Sequence, residues 1–347
     1  MTRSVKSKKN ITIYDIAKEL NVSPSTISRA LKDHHSIGKE MIETVKKLAK
    51  KRGYRPNSIA ASLRKNKTNT IGVIVPWINR PFISSLISGI EEVASKSGYN
   101  VIISQSHDSY KNEVVISKSM YDSRIGGLII SLAMETINYE HFHQFKENKI
   151  PIVFVDRVSY ELHSDKVVID NFAAGFKATE HLIEQGCKRI AHLGGAQHRN
   201  VYHDRKKGYL EALNHYNLPI DENIILLGDV LSSEEGVKMT NYLLDLETPP
   251  DGIFTSNDTS AVSAIQVAKS RGVNVPDELA VIGFNNDPIS LIVDPPLSTI
   301  DHPAVDMGKI AAQQVLTQKE HTEIVSSEVI TLKTELIVRA SSLKKGK

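Results

Sequence analysis

The alternation of short apolar segments with longer amphipathic segments constrains the fold of this chain most strongly, and it begins at Thr70. A first cycle predicts strands at 71–75, 101–104, 127–131 and 152–155, and helices near 82–97, 111–122 and 138–147. A second cycle predicts strands at 189–193, 224–227, 252–255 and 280–283, and helices near 171–186, 203–216, 233–245 and 259–271. Strands that alternate with helices favour parallel sheets joined by right-handed crossovers. Two cycles therefore predict two similar α/β lobes.

The final part of the sequence predicts segments that cross between the two lobes. Strands at 298–300 and 329–339 flank a helix near 304–318. We expect residues 70–340 to form one α/β body with two lobes, namely lobe 1 at about 70–169 and 301–328, and lobe 2 at about 170–300 and 329–340.

Charge is divided unevenly along the chain. Residues 1–67 contain 17 Lys and Arg against 5 Asp and Glu, a net charge of +12, whereas the remainder has 26 against 35, or −9. Clustered positive charge attracts the phosphate backbone of nucleic acids through counterion release, and an acidic body is repelled by it. A solvated basic tail is the alternative, and it fits residues 1–9. From Ile11 onward the sequence pattern is too regular for a tail.

Three short helices are predicted within the basic head, at residues 10–56. Apolar residues recur at helical spacing over 13–20, and Ser23-Pro24 begins a second helix after a very short turn. A third helix, near 39–52, ends at Gly53. This spacing is typical of a helix-turn-helix, whose second helix enters the major groove. We expect the DNA contacts of the head to come from Thr12, Tyr14, Ser23, Pro24, Ser25, Ser28 and Arg29.

Residues 57–69 are predicted to form a hinge between the head and the body. Asn57 caps a helix over 58–64 that is too short to be stable in isolation. Leu63 has no predicted core to join, so it could wedge into a minor-groove base step while Arg64 contacts the DNA. An ordinary linker helix fits the same residues equally well.

Motifs of the head and of the body occur together in one order along the chain. The head contains TIYDIAKELNVSPSTISRAL and YRPNSIAASLR, and the body contains IGVIVP, VIDNFAAGFKATEHLIEQGCKRIAHLGG, SNDTSAVSAI and VIGFNNDP. From Thr12 to about Arg339 the chain resembles the lactose-repressor (LacI/GalR) family of transcription regulators. The resemblance implies a periplasmic-binding-protein-like body, a homodimer on a palindromic DNA operator, hinge helices paired in the minor groove, and control by a small-molecule effector. Repression is the usual outcome in this family.

Polar residues that follow the predicted strands are the candidates for the effector site. Ligands of open α/β sheets bind beyond the carboxyl ends of the strands, where hydrogen-bonding groups suit a polar small molecule such as a sugar or sugar derivative. Arg205 is the leading candidate, because a guanidinium fork binds paired hydroxyls or a carboxylate. The predicted set is Phe82, Asp156, Arg199, Arg205, Asn257, Asn285 and His302. The resemblance implies that Asp156, Arg205, Asn257 and Asn285 occupy effector-cleft positions and that His302 lies on a crossing segment. Asp108 also follows a predicted strand but is not included in this set.

Two residues of the predicted cleft depart from the family's pattern. Family members that bind sugars or purines commonly have Asp at the position of Asn285 and an aromatic residue at the position of Val230. An amide still binds hydroxyl groups, but the missing ring weakens the case for a stacked hexose or base. Asp258 follows Asn257 in the sequence, and it could stabilise the start of a helix as well as it could bind a ligand.

The sequence argues against an enzyme, a transport protein and a membrane protein. It lacks G-x-G-x-x-G after the first strand, G-x-x-x-x-G-K-[ST] and G-x-S-x-G, and the spacings of His141 and His143 and of His198 and His203 fit no zinc site. We therefore expect no catalytic residue, no cofactor and no metal.

No apolar run reaches the roughly 18 residues of a membrane span, and a two-lobed transport protein would need a secretion signal instead of a basic head. With Cys187 as the only cysteine, the expected location is the cytoplasm, and the nucleoid when DNA is bound.

Overall fold

The computed structural model describes residues 11–54, 68–320 and 327–344, and the chain divides into two compact units, Met1–Thr68 and Asn69–Lys347. The first unit contains the helical head, and the second contains the α/β body. The predicted hinge helix, with Asn57, Leu63 and Arg64, lies outside the described residues. Within the described ranges, no helix is both long enough and apolar enough to cross a lipid bilayer.

The head contains the three predicted helices, whose bounds agree with the prediction to within one residue. They are α1 (Ile13–Glu19), α2 (Pro24–Ala30) and α3 (Lys39–Arg52). Thr12 caps α1 in a reciprocal pair with Asp15, Ser23 caps α2, and Gly53 ends α3 in a left-handed conformation with φ 67°. The small apolar core between the helices consists of Ile16, Ala17, Ile27, Ala30, Val45 and Ala49.

Strands and helices alternate along the described part of the body. The strands are β1 (Thr70–Val75), β2 (Asn100–Gln105), β3 (Gly127–Ile130), β4 (Ile152–Val155), β5 (Asp165–Ile169), β6 (Ile190–Gly194), β7 (Ile225–Leu227), β8 (Gly252–Thr255), β9 (Ala280–Asn285), β10 (Ser298–Asp301), β11 (Val329–Leu332) and β12 (Glu335–Ile337). The α-helices are α4 (Pro81–Lys96), α5 (Tyr110–Asp122), α6 (His143–Glu147), α7 (Asn171–Glu184), α8 (Asn200–His215), α9 (Ser233–Leu244), α10 (Asp258–Ser270), α11 (Ile289–Ile292) and α12 (Ala304–Glu320). Short 3₁₀ helices precede α6 and β7, at Glu140–Phe142 and Glu222–Ile224.

The strands form two six-stranded sheets, one in each lobe. The first sheet has the order β11-β5-β4-β3-β1-β2, and its pairings are parallel. The second has the order β12-β10-β9-β8-β6-β7, in which β12 is antiparallel to β10 and the other pairings are parallel. This is the predicted two-lobed α/β architecture. Parallel strands place their carboxyl ends at one edge of each sheet, where their loops can build a site.

The chain makes its last passage between the sheets a few residues later than the sequence indicated. Val329–Leu332 pairs with β5 of the first sheet, and only Glu335–Ile337 joins the second sheet. Assigning all of 329–340 to lobe 2 was therefore wrong for 329–332, because Lys333 and Thr334 break what the sequence pattern indicated as one strand. Strand β5 itself was not predicted, since its apolar segment begins with the charged pair Asp165 and Lys166.

Glycines allow one pair of helices in each lobe to pack with their backbones in contact. A Cβ atom at Gly89 of α4 would lie 2.0 Å from the Val305 carbonyl oxygen of α12. In the second lobe, a Cβ atom at Gly208 of α8 would lie 2.1 Å from the Phe172 carbonyl oxygen of α7. Any larger residue would force the helices apart. The close packing of α7 against α8 fixes the helix that contains Arg205.

Candidate effector cleft and DNA-reading surface

A cleft between the two lobes brings together side chains that follow the strands of both sheets. It encloses about 810 Å³ of empty space when its open mouth and the solvent there are included. Side chains from lobe 1, lobe 2 and the crossing segment line it, including Trp77, Phe82, Asp108, Asp156, Arg157, Tyr202, Arg205, Val230, Asn257, Asn285, Asp287 and His302. The predicted effector-binding residues lie together in this lining, with the exception of Arg199.

Arg205 is held rigidly at the lobe 2 side of the cleft. It is 4% exposed, and its Nε donates to Asn171 Oδ1 at 2.8 Å while Nη1 donates to the Ser256 carbonyl oxygen at 2.8 Å. Its guanidinium carbon lies 3.5 Å from the centroid of the Phe284 ring. Burial lowers the pKa of Arg205 to about 10, so the side chain stays charged at neutral pH. Among the described residues Nη2 has no hydrogen-bond acceptor, so this arm is free to bind a ligand oxygen.

Asp156 places a carboxylate close to the Arg205 guanidinium. It follows β4 directly, in a left-handed conformation with φ 62°, and it is buried. Burial raises the pKa of Asp156, while the positive charges of Arg157 and Arg205 oppose this change. A hydroxyl group between Asp156 and Arg205 could therefore donate to the carboxylate and accept from the guanidinium.

Asn285, His302 and Phe82 form a contiguous surface where the crossing segment meets the cleft. Asn285 Oδ1 accepts a hydrogen bond from His302 Nδ1 at 3.3 Å, and the Phe82 ring stacks on the His302 ring with centroids 4.0 Å apart. Burial, and then the charge of Arg205, lowers the pKa of His302 well below its ordinary value, so the ring is neutral. A proton on Nδ1 leaves Nε2 as an acceptor, and Nε2 has no partner among the described residues.

Asn257 and Asp258, at the start of α10, make contacts that stabilise the fold. Asn257 lines the cleft but also caps the helix, since its Oδ1 accepts from Ser260 N and its Nδ2 donates to the Leu231 carbonyl oxygen. Asp258 is fully buried and accepts from the Thr299 hydroxyl and from Asp287 N, each at 2.7 Å. These contacts favour a structural role for Asp258 over ligand binding.

Arg199 lies outside the cleft lining, which corrects its place in the predicted effector site. It is 2% exposed, and its Nε donates to the Met134 carbonyl oxygen of lobe 1 at 3.2 Å. The next residue, Asn200, donates to the Asp156 carbonyl oxygen and accepts from Val158 N. Residues 196–200 thus join lobe 2 to lobe 1. The motif that suggested Arg199 gave its position after a strand but not the direction of its side chain.

Trp77, Asp108 and Arg157 are cleft residues that the predicted site did not include. Asp108 Oδ2 accepts from Trp77 Nε1 at 2.9 Å, and Asp108 Oδ1 accepts from Arg157 Nη1 at 2.5 Å. All three follow strands of the first sheet, and the strand-end rule that located Asp156 also pointed to Asp108, which was left out of the predicted site. Trp77 was not predicted because the candidates for the effector site were mainly polar side chains.

The predicted DNA-contacting residues of the head fall into two groups by their contacts. Thr12 and Ser23 use their hydroxyl groups to cap helices, and Ser23 also contacts Ser25. Tyr14 and Arg29 are exposed, and no described residue accepts a hydrogen bond from the Arg29 guanidinium. The exposed face of α2 can therefore offer Ser25 and Arg29 to a base edge, with Pro24 and Ser28 half-buried between them.

Comparisons with known proteins match both units of the chain. Residues 12–57 match the model of bacterial regulatory proteins of the lacI family, and residues 179–342 match that of the periplasmic binding protein-like domain. Catabolite control protein A of Priestia megaterium is 33% identical over 338 residues, covering 96% of this chain and 99% of the relative. The transcriptional repressor CytR of Escherichia coli K12 is 33% identical over 340 residues, covering 98% of each chain.

Solved structures give the same result for the fold. The transcriptional regulator CelR in complex with cellobiose matches with a TM-score of 0.72 and 25% identity, covering 96% of this chain and all of that chain. The lac repressor dimer bound to operator and the anti-inducer ONPF matches with a TM-score of 0.85 and 21% identity, again over 96% of this chain and all of that chain.

A helix-turn-helix head and a two-lobed body with a polar cleft define a DNA-binding transcription regulator that responds to a small molecule. The relatives that match along almost the whole chain are transcriptional regulators as well. The chain belongs to the lacI family of bacterial regulatory proteins, and the predicted family, fold class and regulatory function are confirmed. In the described part of the chain, no three His, Cys, Asp or Glu side chains form a group that could hold a metal ion.

Proposed function

We propose that this chain is a homodimeric repressor that binds a palindromic operator and releases or retains it according to a small polar effector in the cleft. The observation that carries the proposal is the convergence of Arg205, Asp156 and Asn285 on one cleft between two lobes. Asp156 follows β4, Asn285 ends β9, and Arg205 lies on α8 where that helix packs against α7, so the cleft is assembled by the fold itself. Operator binding requires the protein to act in the cytoplasm, on the nucleoid.

The effector is a neutral polar molecule, and a sugar or sugar derivative fits the cleft best. Arg205 Nη2 offers a donor, Asp156 and His302 Nε2 offer acceptors, and the Asn285 amide offers both. Vicinal hydroxyl groups satisfy such a mixed set, because each hydroxyl donates once and accepts twice. The relatives include a ribose operon repressor of Halalkalibacterium halodurans and CelR bound to cellobiose, which supports a carbohydrate here.

Effector binding is coupled to DNA binding through the arrangement of the two lobes. Arg205 and Asn285 belong to lobe 2, whereas Asp156 and Phe82 belong to lobe 1. A ligand that contacts both sides prefers one lobe arrangement, and it can shift the equilibrium only by this difference in affinity.

Dimerisation is proposed to use the exposed edge of the first sheet. Strand β2 is the edge strand, and its side chains Ile102 and Ile103 are 43% and 38% exposed. An apolar edge strand left in solvent promotes association. The structural match to the lac repressor dimer supports a second copy as the partner.

Within the DNA complex, Arg29 of α2 is proposed to read a base edge. Leu63 and Arg64, which lie outside the described residues, are proposed to contact the minor groove. The test begins with genomic fragments that the full-length chain retains in a gel-shift assay. On such an operator, Arg29→Ala should relax the preference at one position of each half-site, by about 1–3 kcal/mol, and leave binding to random DNA nearly unchanged. If Arg29→Ala loses the same affinity for operator and for random DNA, Arg29 contacts a phosphate instead of a base. If the native chain binds no genomic fragment more tightly than it binds random DNA, the proposal that it is a sequence-specific regulator is contradicted.

A further inference from the structure

Trp77 is the only tryptophan among the 347 residues, and it lies in the cleft. It follows β1 and Pro76, and its side chain is half-buried. The indole Nε1 donates to Asp108 Oδ2 at 2.9 Å, and the ring stands at 85° to the His107 ring with centroids 4.7 Å apart. Two contacts on one side chain fix the position of the ring.

Asp108 holds the indole and has little capacity left for a ligand. Its other oxygen, Oδ1, accepts from Arg157 Nη1 at 2.5 Å and from Met134 N at 3.0 Å. Asp108 therefore acts as a positioning residue for Trp77. A ring that is fixed before the ligand arrives loses little conformational entropy on binding.

Lobe 2 has a valine, Val230, at the position where the family pattern has an aromatic residue. Val230 of lobe 2 lines the same cleft and is 46% exposed. The polar groups of Arg205 and Asn285 lie on that lobe, whereas Trp77 and Phe82 lie on lobe 1. Lobe 1 thus contributes two of the aromatic side chains of the cleft, beside Tyr202 of lobe 2, while the polar groups come from both lobes, since Asp156 belongs to lobe 1.

We propose that Trp77 is the surface on which a ring of the effector stacks, with the hydroxyl groups of the effector turned toward Arg205, Asp156 and Asn285. The proposal rests on the proposed effector function and narrows the ligand class to molecules that have such a ring. The ring is either the base of a nucleoside or the C–H face of a pyranose, since both stack on an indole. Ring-free polyols offer hydroxyl groups alone and would gain nothing from Trp77.

The absence of other tryptophans makes the intrinsic emission of the full-length chain a reporter of this one ring. Adenosine and cellobiose serve as ring-bearing probes, and sorbitol and glycerol serve as ring-free probes. Affinity is measured separately by calorimetry, because substitution of Trp77 removes the emission signal. Trp77→Leu removes the ring, Trp77→Phe keeps one, and Tyr242→Leu on α9 removes an exposed aromatic side chain outside the cleft lining.

A ring-bearing probe should bind with a change in tryptophan emission, and adenosine or cellobiose identifies which kind of ring it is. Trp77→Leu should then weaken the affinity about 3- to 10-fold, Trp77→Phe should weaken it less, and Tyr242→Leu should not change it. Binding without a change in emission, with equal affinity in Trp77→Leu, would overturn the stacking proposal. Binding of the ring-free probes alone would also overturn it and leave the effector site intact. Binding of no probe of either class would contradict the effector site as well.

Discussion

The contacts of Arg205 and Arg199 explain why two buried arginines six residues apart have different roles. Arg199 directs its Nε to a carbonyl oxygen of the opposite lobe and lies outside the cleft. Arg205 is anchored by two hydrogen bonds within its own lobe and keeps one arm of the guanidinium for the cleft. A charged residue serves recognition when its position is fixed by some of its donors and others remain available.

Replacing Arg205 by lysine should therefore reduce effector affinity while keeping the charge. Lysine has no planar fork, so it cannot hold the two anchoring bonds and a ligand bond together. A hydrogen bond to a charged group contributes about 1.5–3 kcal/mol, so affinity for the tightest ring-bearing probe should fall about 10- to 100-fold by calorimetry. Lys207→Ala, on the exposed part of the same helix, is the matched control and should bind as the native chain does. Native affinity in Arg205→Lys would place the arginine outside ligand recognition.

Asp258 should make the stability of the body depend on pH. Burial raises the pKa of Asp258 to about 7, whereas an exposed Asp has a pKa of about 3.9. Between these pH values the folded protein keeps a proton that the unfolded chain has lost, so the free energy of unfolding falls as the pH rises from about 4 to 7. Asp287, whose pKa burial raises to about 6, acts in the same direction.

Asp258→Asn should lessen this dependence, because an amide can accept from Asp287 N and donate to the Thr299 hydroxyl without titrating. The decrease in melting temperature between pH 5 and pH 7.5 should be smaller in the variant than in the native chain. Asp122→Asn, at an exposed carboxylate on α5, should leave the decrease unchanged. The same decrease in native chain and Asp258→Asn would show that Asp258 is ionised throughout.

At the scale of elements, most helices and strands could be predicted because apolar periodicity and capping residues are local properties. Thr12 and Ser23 mark helix starts, and the apolar segments mark the strands of both cycles. Strand β5 and the division between β11 and β12 could not be predicted, since their positions depend on pairing with distant strands. For the same reason the sequence located Asp156, Arg205 and Asn285 in one cleft but not the Arg199 contact between lobes, which depends on how two loops meet.

The pairing of α7 with α8 gives an element-scale prediction. Gly208→Ala would place a methyl group 2.1 Å from the Phe172 carbonyl oxygen, a backbone atom that cannot move alone. Such overpacking costs about 1–3 kcal/mol, or roughly 2–4 °C of melting temperature for each kcal/mol.

Effector affinity should fall as well in Gly208→Ala, because α8 contains Arg205. Glu211→Ala changes an exposed residue of the same helix to the same side chain, and its melting temperature should stay close to the native value. Equal melting temperatures for Gly208→Ala and Glu211→Ala would contradict the close helix contact.

At the scale of the whole molecule, the basic head is attracted to the DNA backbone and the acidic body is repelled by it. The proposed palindromic operator would be bound by two copies of the chain. Ile102→Lys should introduce repulsion at the proposed dimer edge and shift the protein toward monomers in sedimentation velocity experiments. Operator affinity should fall with the loss of dimers, since in the proposed complex each monomer contacts one half-site. Ile137→Lys, at a residue that is 78% exposed on the loop after β3, is the control and should remain dimeric. A dimeric Ile102→Lys variant would move the interface to another surface.

The late return of the chain to both sheets bears on how this protein is made. Strands β11 and β12 complete the edges of the first and the second sheet, and they are the last described strands to leave the ribosome. Until they emerge, both lobes of the nascent chain have an unpaired edge, while the helices of the head have long had their own small core. Vectorial synthesis therefore yields a folded DNA-binding head before either sheet of the sensor is complete.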